Sequence, residues 1–142
     1  MRMNDELAAL QEANDRFYRA LESLDLASMD RVWLHEGWVR CIHPGWDVVV
    51  GWKAVRHSFE QIFDGTSWIR VTPTAIEINA FGDVGIVGCA ENITATQDSD
   101  VGVAVAQATN IFRRTPEGWR MIHHHASPAP VNVTQPFSGT VQ

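Results

Sequence analysis

Residues 110–130 read "NIFRRTPEGWRMIHHHASPAP". Apolar and polar residues alternate on both sides of Arg114-Thr115-Pro116-Glu117-Gly118, which is the pattern of two strands joined by a tight turn. The same period of two runs backward from this hairpin. Residues 84–96 and 68–80 alternate likewise, and "FGD" (81–83) and "QDSDVG" (97–102) supply turn chemistry between the runs. With 102–113 and 119–126, four strands joined by short loops predict an antiparallel meander.

Upstream of residue 66 the period changes to 3.6. Leu7, Leu10, Asn14, Phe17, Tyr18 and Leu21 recur at three- and four-residue spacing and predict a helix over 4–22, with Asn4 as its N-cap. A second short helix is expected in "DLASMDRVWL" (25–34), and a third in "WKAVRHSFEQIFDG" (52–65), where Gly65 follows the last apolar residue. Between them, Trp38 to His43 alternates as a strand, Pro44-Gly45 marks a turn and "DVVVG" reads as a second short strand. The order predicts one α+β domain over residues 1–130. Its N-terminal helices would pack on the concave face of a strongly curved antiparallel sheet. Residues 131–142 are expected as an extended or disordered tail.

Composition narrows the partners. A chain of 142 residues, 45% hydrophobic and 20% charged, is long enough to bury a core. Its formal charge of −6, with no basic stripe, argues against nucleic acid or an anionic membrane as partner. The charged first twenty residues lack the apolar core of a signal peptide, no run is long enough to span a bilayer, and two cysteines make no disulfide framework. A cytoplasmic location is therefore expected. Six tryptophans against one tyrosine suggest either a filled core or walls for a flat apolar ligand.

Two stretches carry a family likeness: "RFYRALESLDLASMDRVW" (16–33) and the closing hairpin quoted above. They resemble the opening helix pair and last strands of the nuclear transport factor 2-like superfamily. That group includes ketosteroid isomerases, scytalone dehydratase, limonene epoxide hydrolase, SnoaL-type polyketide cyclases and the association (hub) domain of calcium/calmodulin-dependent kinase II. The resemblance implies a cone open at one end, a ligand site inside it, and a homodimer through the outer face of the sheet. It also implies positions for chemistry. The isomerases' first-helix tyrosine falls on Phe17, with Tyr18 one residue on and turned by about 100°. Their strand carboxylate falls on Cys41 or His43, and their second oxyanion donor on Asn110. At all three positions the chain departs from the isomerase pattern.

The substituted residues still make a coherent pocket. Cys41 and His43 are two apart on a strand and share a face. So do His123 and His125, with Trp119 and Met121, and the resemblance turns that face into the cone and His124 toward solvent or a dimer partner. Asn110 shares a face with Ala106, Ala108 and Phe112, where small residues leave room. His43, His123 and His125 are expected as acid–base catalysts, imidazole being suited to proton transfer near neutral pH, and Asn110 as the polarising group. Tyr18, Trp33, Cys41, Trp46 and Trp119 are expected against the ligand. Trp33 and Trp119 also match core faces, and Trp46 suits a cavity mouth. Glu91 and Gln107 are strand residues able to face inward, their register open; His35 and His57 are expected at the surface.

Three functions fit. One is acid–base catalysis on a small apolar molecule without a cofactor: isomerisation, dehydration, cyclisation or hydration. Another is a non-catalytic ligand-binding or assembly domain. The third is a metal site, since His123 and His125 have H-x-H spacing and His43 could add a third ligand.

Overall fold

A computed structural model describes residues 3–131. Three helices, α1 (Met3–Ser23), α2 (Leu26–Asp30) and α3 (Trp52–Asp64), accompany six strands. Two are short, β1 (Arg40–Ile42) and β2 (Val49–Val50); four are long, β3 (Trp68–Phe81), β4 (Val84–Gln97), β5 (Asp100–Thr115) and β6 (Gly118–Ala129). The expected meander is present, with boundaries close to those the alternation indicates. All six strands join one sheet in the order β2-β1-β6-β5-β4-β3, antiparallel except where β1 runs parallel to β6. The sheet curves without closing, and the helices fill its concave side.

Helix α1 buries Leu10, Ala13, Asn14, Phe17, Tyr18 and Ala20, a stripe at helical spacing, against the inner sides of β3 and β4. The close approach depends on Gly85, because a Cβ there would lie 3.0 Å from Leu10 Cγ and nearer still to its methyls. Helix α3 turns in at Gly51, whose φ of +90° and contact with the Gly37 carbonyl oxygen exclude a side chain. Its Val55, Phe59 and Phe63 point into the core. The second helix is shorter than its sequence suggests. Residues 32–34 leave it to lie along β6, with Met121 N donating to Val32 O at 2.9 Å and Leu34 N to Met121 O at 3.0 Å. A tertiary backbone ladder thus overrides local helical periodicity.

Two bulges shape the sheet. One interrupts β3 between Thr74 and Glu77, where Ala75 adopts φ +52°. In the other, Ile111 pairs with His123 but Phe112 pairs with Met121, so Ile122 is an extra residue in β6. No helix among the described residues is long and apolar enough to cross a membrane. The expected tail, residues 131–142, lies outside the described residues apart from Val131, which is exposed.

Candidate functional site: a buried acid–base cavity

A cavity of about 220 Å³ opens inside the curve of the sheet. Phe17, Leu21, Phe59 and Ile62 from the helices and Ile69, Val71 and Ile93 from β3 and β4 form its apolar walls. Pro44 and Trp46, from the turn after β1, stand at its edge; Trp46 is part exposed and its ring meets His43 edge-on at 4.8 Å. Three polar side chains reach this space: His43, Glu91 and His124. Among the described residues, no lysine or arginine lines it.

Each polar group has a fixed hydrogen-bond polarity. The Ser58 hydroxyl donates to Val55 O at 2.6 Å, so at 2.8 Å from His43 Nε2 it accepts. That makes Nε2 the protonated nitrogen of His43 and leaves Nδ1 with its lone pair. A second network starts at Glu91. The Tyr18 hydroxyl donates to Glu91 Oε2 at 2.7 Å and receives a bond from Asn110 Nδ2 at 3.1 Å. The other Nδ2 proton of Asn110 goes to Asn14 Oδ1 at 2.8 Å, and Asn110 Oδ1 lies 2.6 Å from His124 Nδ1. An amide oxygen only accepts, so His124 carries its proton on Nδ1. Its bare Nε2 faces Glu91 Oε2 at 4.0 Å.

Burial sets the charges. Loss of hydration pushes the Glu91 carboxyl up to about 7, against the opposing pull of the Tyr18 hydrogen bond. The same cause brings His43 down to about 4 and holds His124 well below the ordinary imidazole range, with the nearby His43, His123 and His125 adding to the effect on His124. The Glu91–His124 approach is therefore not an ion pair: at neutral pH both imidazoles are neutral. Burial also raises the Tyr18 hydroxyl and the Cys41 and Cys89 thiols, which leaves the thiols without nucleophilic character.

The structure moves several residues from their expected places. His43 lies at the cavity, with Cys41 buried beside it, its sulfur 3.6 Å from Nε2. His123 and His125 do not face inward. Trp119 and Met121 are buried, but the extra residue Ile122 reverses the alternation beyond them, so His124 and Ala126 point in and His123 and His125 point out. The two outward rings sit 6.4 Å apart, and His125 borders a depression of about 490 Å³ on the opposite side of the sheet. With His43 inside and His123 and His125 outside, the three cannot share an ion, and no metal-holding cluster of His, Cys, Asp or Glu exists among the described residues. Asn110 is fully buried behind the cavity, its amide engaged by Asn14, Tyr18 and His124. Trp33 packs in the core against Trp52 and Phe59, and Trp119 lies under the Arg114 guanidinium, so neither borders the cavity. Glu91 faces inward and Gln107 outward.

A curved sheet with helices enclosing a polar-floored cavity defines a class of cone-pocket proteins, and the comparisons place the chain within it. Residues 10–132 match the SnoaL-like domain model. The chain belongs to the SnoaL-like family, within the nuclear transport factor 2-like superfamily. Among solved structures, it is 33% identical to a candidate dehydratase of the NTF2-like family from Streptomyces avermitilis, with a TM-score of 0.87 over 92% of this chain and 100% of that one. It is 32% identical to a candidate calcium/calmodulin-dependent protein kinase type II association domain from Thiobacillus denitrificans, with a TM-score of 0.75 over 84% and 94%. Among curated proteins, it is 25% identical over 119 residues to F-box protein SKIP8 of Arabidopsis thaliana, which is 84% of this chain and 49% of that protein. The chain thus spans about half the length of that curated relative.

Proposed function

We propose that the chain is an acid–base enzyme that removes a proton from carbon and eliminates water from a small uncharged hydroxy-carbonyl compound. The observation that carries this reading is the meeting of a carboxyl raised to about 7 and an imidazole lowered to about 4 at one apolar cavity. Near neutral pH such a pair holds an acid and a base side by side, and neither neutralises the other. His43 Nδ1 takes the proton from the carbon next to the carbonyl, and the C–H electrons become the new double bond. Glu91 delivers its proton to the departing hydroxyl, which leaves as water. The likeness to the Streptomyces candidate dehydratase supports elimination over other outcomes of the same pair.

Size and charge limit the substrate. The cavity holds about seven water volumes at ~30 Å³ each, the space of a single-ring compound. With no cationic side chain along it among the described residues, a carboxylate or phosphate would enter without a counter-charge.

Deuterium incorporation tests the reading. Neutral single-ring ketones and β-hydroxyketones are incubated in deuterium oxide and followed by NMR for C–H exchange and loss of water. Exchange by the wild type and none by His43→Ala is expected. Equal behaviour of the two proteins, or no exchange across the set, would remove the proposal.

The likeness to the Thiobacillus association domain favours a second role, self-assembly. Its readout is the mass of the untagged protein in solution, where a dimer or closed ring supports it and a monomer excludes it.

A further inference from the structure

We infer that the gap between Glu91 Oε2 and His124 Nε2 is a seat for one hydroxyl oxygen of the ligand, and that Asn110 is the positioning residue that gives the seat its polarity. The inference rests on the cavity being the ligand site and adds which functional group it selects.

Geometry defines the seat. Two polar atoms 4.0 Å apart are too distant for a hydrogen bond to each other. An oxygen ~2.8 Å from both would see them at roughly 90°, which suits a hydroxyl that donates to one and accepts from the other. Both residues border the cavity and both are buried, so an oxygen there replaces no ordered protein contact.

Polarity follows from a chain of forced hydrogen bonds. Tyr18 has one proton and gives it to Glu91, so its oxygen accepts from its other neighbours, Asn110 Nδ2 at 3.1 Å and the Cys89 thiol at 3.2 Å. That orientation turns Asn110 Oδ1 toward His124, which then holds its proton on Nδ1 and shows the seat a bare Nε2. Asn14 Oδ1 receives the second Asn110 proton and fixes the amide from the other side. Asn110 and His124 are direct cross-strand partners, so the bulge at Ile122 places this contact in register. When Glu91 is ionised both walls of the seat accept, and a hydroxyl, with one proton, satisfies only one of them. When Glu91 is protonated the same hydroxyl also receives its proton, as the elimination above requires. Asn110, buried away from the cavity, acts through His124 and touches no ligand.

The test compares cyclohexanol with cyclohexanone, two probes of equal heavy-atom count, at about pH 5.5, where Glu91 holds its proton and the seat offers one donor and one acceptor. The alcohol is expected to bind about tenfold more tightly than the ketone, one hydrogen bond's worth of discrimination. Two-bond 1H–15N spectra should show His124 protonated on Nδ1, with cyclohexanol shifting Nε2 and cyclohexanone leaving it in place. Asn110→Leu should abolish the preference and the fixed tautomer. Equal binding of the two probes, or a wild-type His124 protonated on Nε2, overturns the inference with no variant needed. Selective alcohol binding without any deuterium exchange would keep the seat and sink the enzymatic reading instead.

Discussion

His43 Nε2 lies 2.8 Å from Ser58 Oγ, a contact between the turn after β1 and the middle of α3. Because the serine proton is already given to Val55 O, the contact fixes the imidazole's tautomer as well as its place. Replacing Ser58 with alanine leaves a buried N–H unpaired and frees the ring to turn. A fall in kcat of about tenfold with KM nearly unchanged is expected, the mark of an interaction needed for the reaction more than for binding. Steady-state kinetics on the Ser58→Ala protein reads this directly.

Activity should follow a bell in pH. The base works only when His43 is deprotonated, above about 4, and the acid only while Glu91 keeps its proton, below about 7. Plots of kcat/KM should therefore rise and fall about those limits, with the optimum on the acid side of neutral. Glu91→Gln should lose most activity, and whatever remains should show no alkaline limb. An unchanged alkaline limb in that variant would assign it to another group.

Stability carries the same groups with opposite signs. Between 4.5 and about 7 the folded chain holds the Glu91 proton while the unfolded chain has lost it, so rising pH weakens the fold. Between about 4 and 6.5 the unfolded chain holds the His43 proton and the folded chain does not, so rising pH strengthens it. His124 acts in the same direction as His43. Glu91 thus offsets part of the histidine gain, and its removal should expose that gain. From about pH 5 to 6.5, Glu91→Gln should gain about 2 kcal/mol more stability than the wild type does. Urea unfolding at several pH values measures the two slopes.

Gly85 and Leu10 provide a test of the fold that spares the cavity. Adding a methyl at Gly85 drives it into the fully buried Leu10 side chain, and the overpacking should weaken the protein by about 1–3 kcal/mol. Leu10→Ala alone should weaken it by about 2–5 kcal/mol. The double variant should lose less than the sum, since the alanine methyl occupies space the leucine vacates. Additive losses in thermal or urea unfolding would show that the two residues are not in contact.

The meander and the helices were legible because long runs of a single period leave little choice of element, and "FGD" and "RTPEG" fix the hairpins locally. The chemistry of the cavity was only half legible. His43 was found because β1 is short and regular, so the two-residue step from Cys41 holds. On β6 the same step fails at Ile122, where no glycine, proline or other bulge signal marks the extra residue. It moved the inward position from His123 and His125 to His124. Glu91's direction depended on strand register, which in a long antiparallel sheet is settled by partners elsewhere in the chain. Asn110 was placed on the correct face, but its engagement with Asn14 and Tyr18 comes from a helix some ninety residues away, and no local pattern reports that.

The bulge at Ile122 also describes a short evolutionary path. Losing the Ile122 codon would erase the bulge yet leave His124 and Ala126 facing inward, because Met121 and His124 would then stand two residues apart on a regular strand. A neighbouring lineage with one residue fewer at this point would be expected to keep the inward histidine on a straighter strand, and so to hold the same cavity chemistry in a less sharply bent sheet.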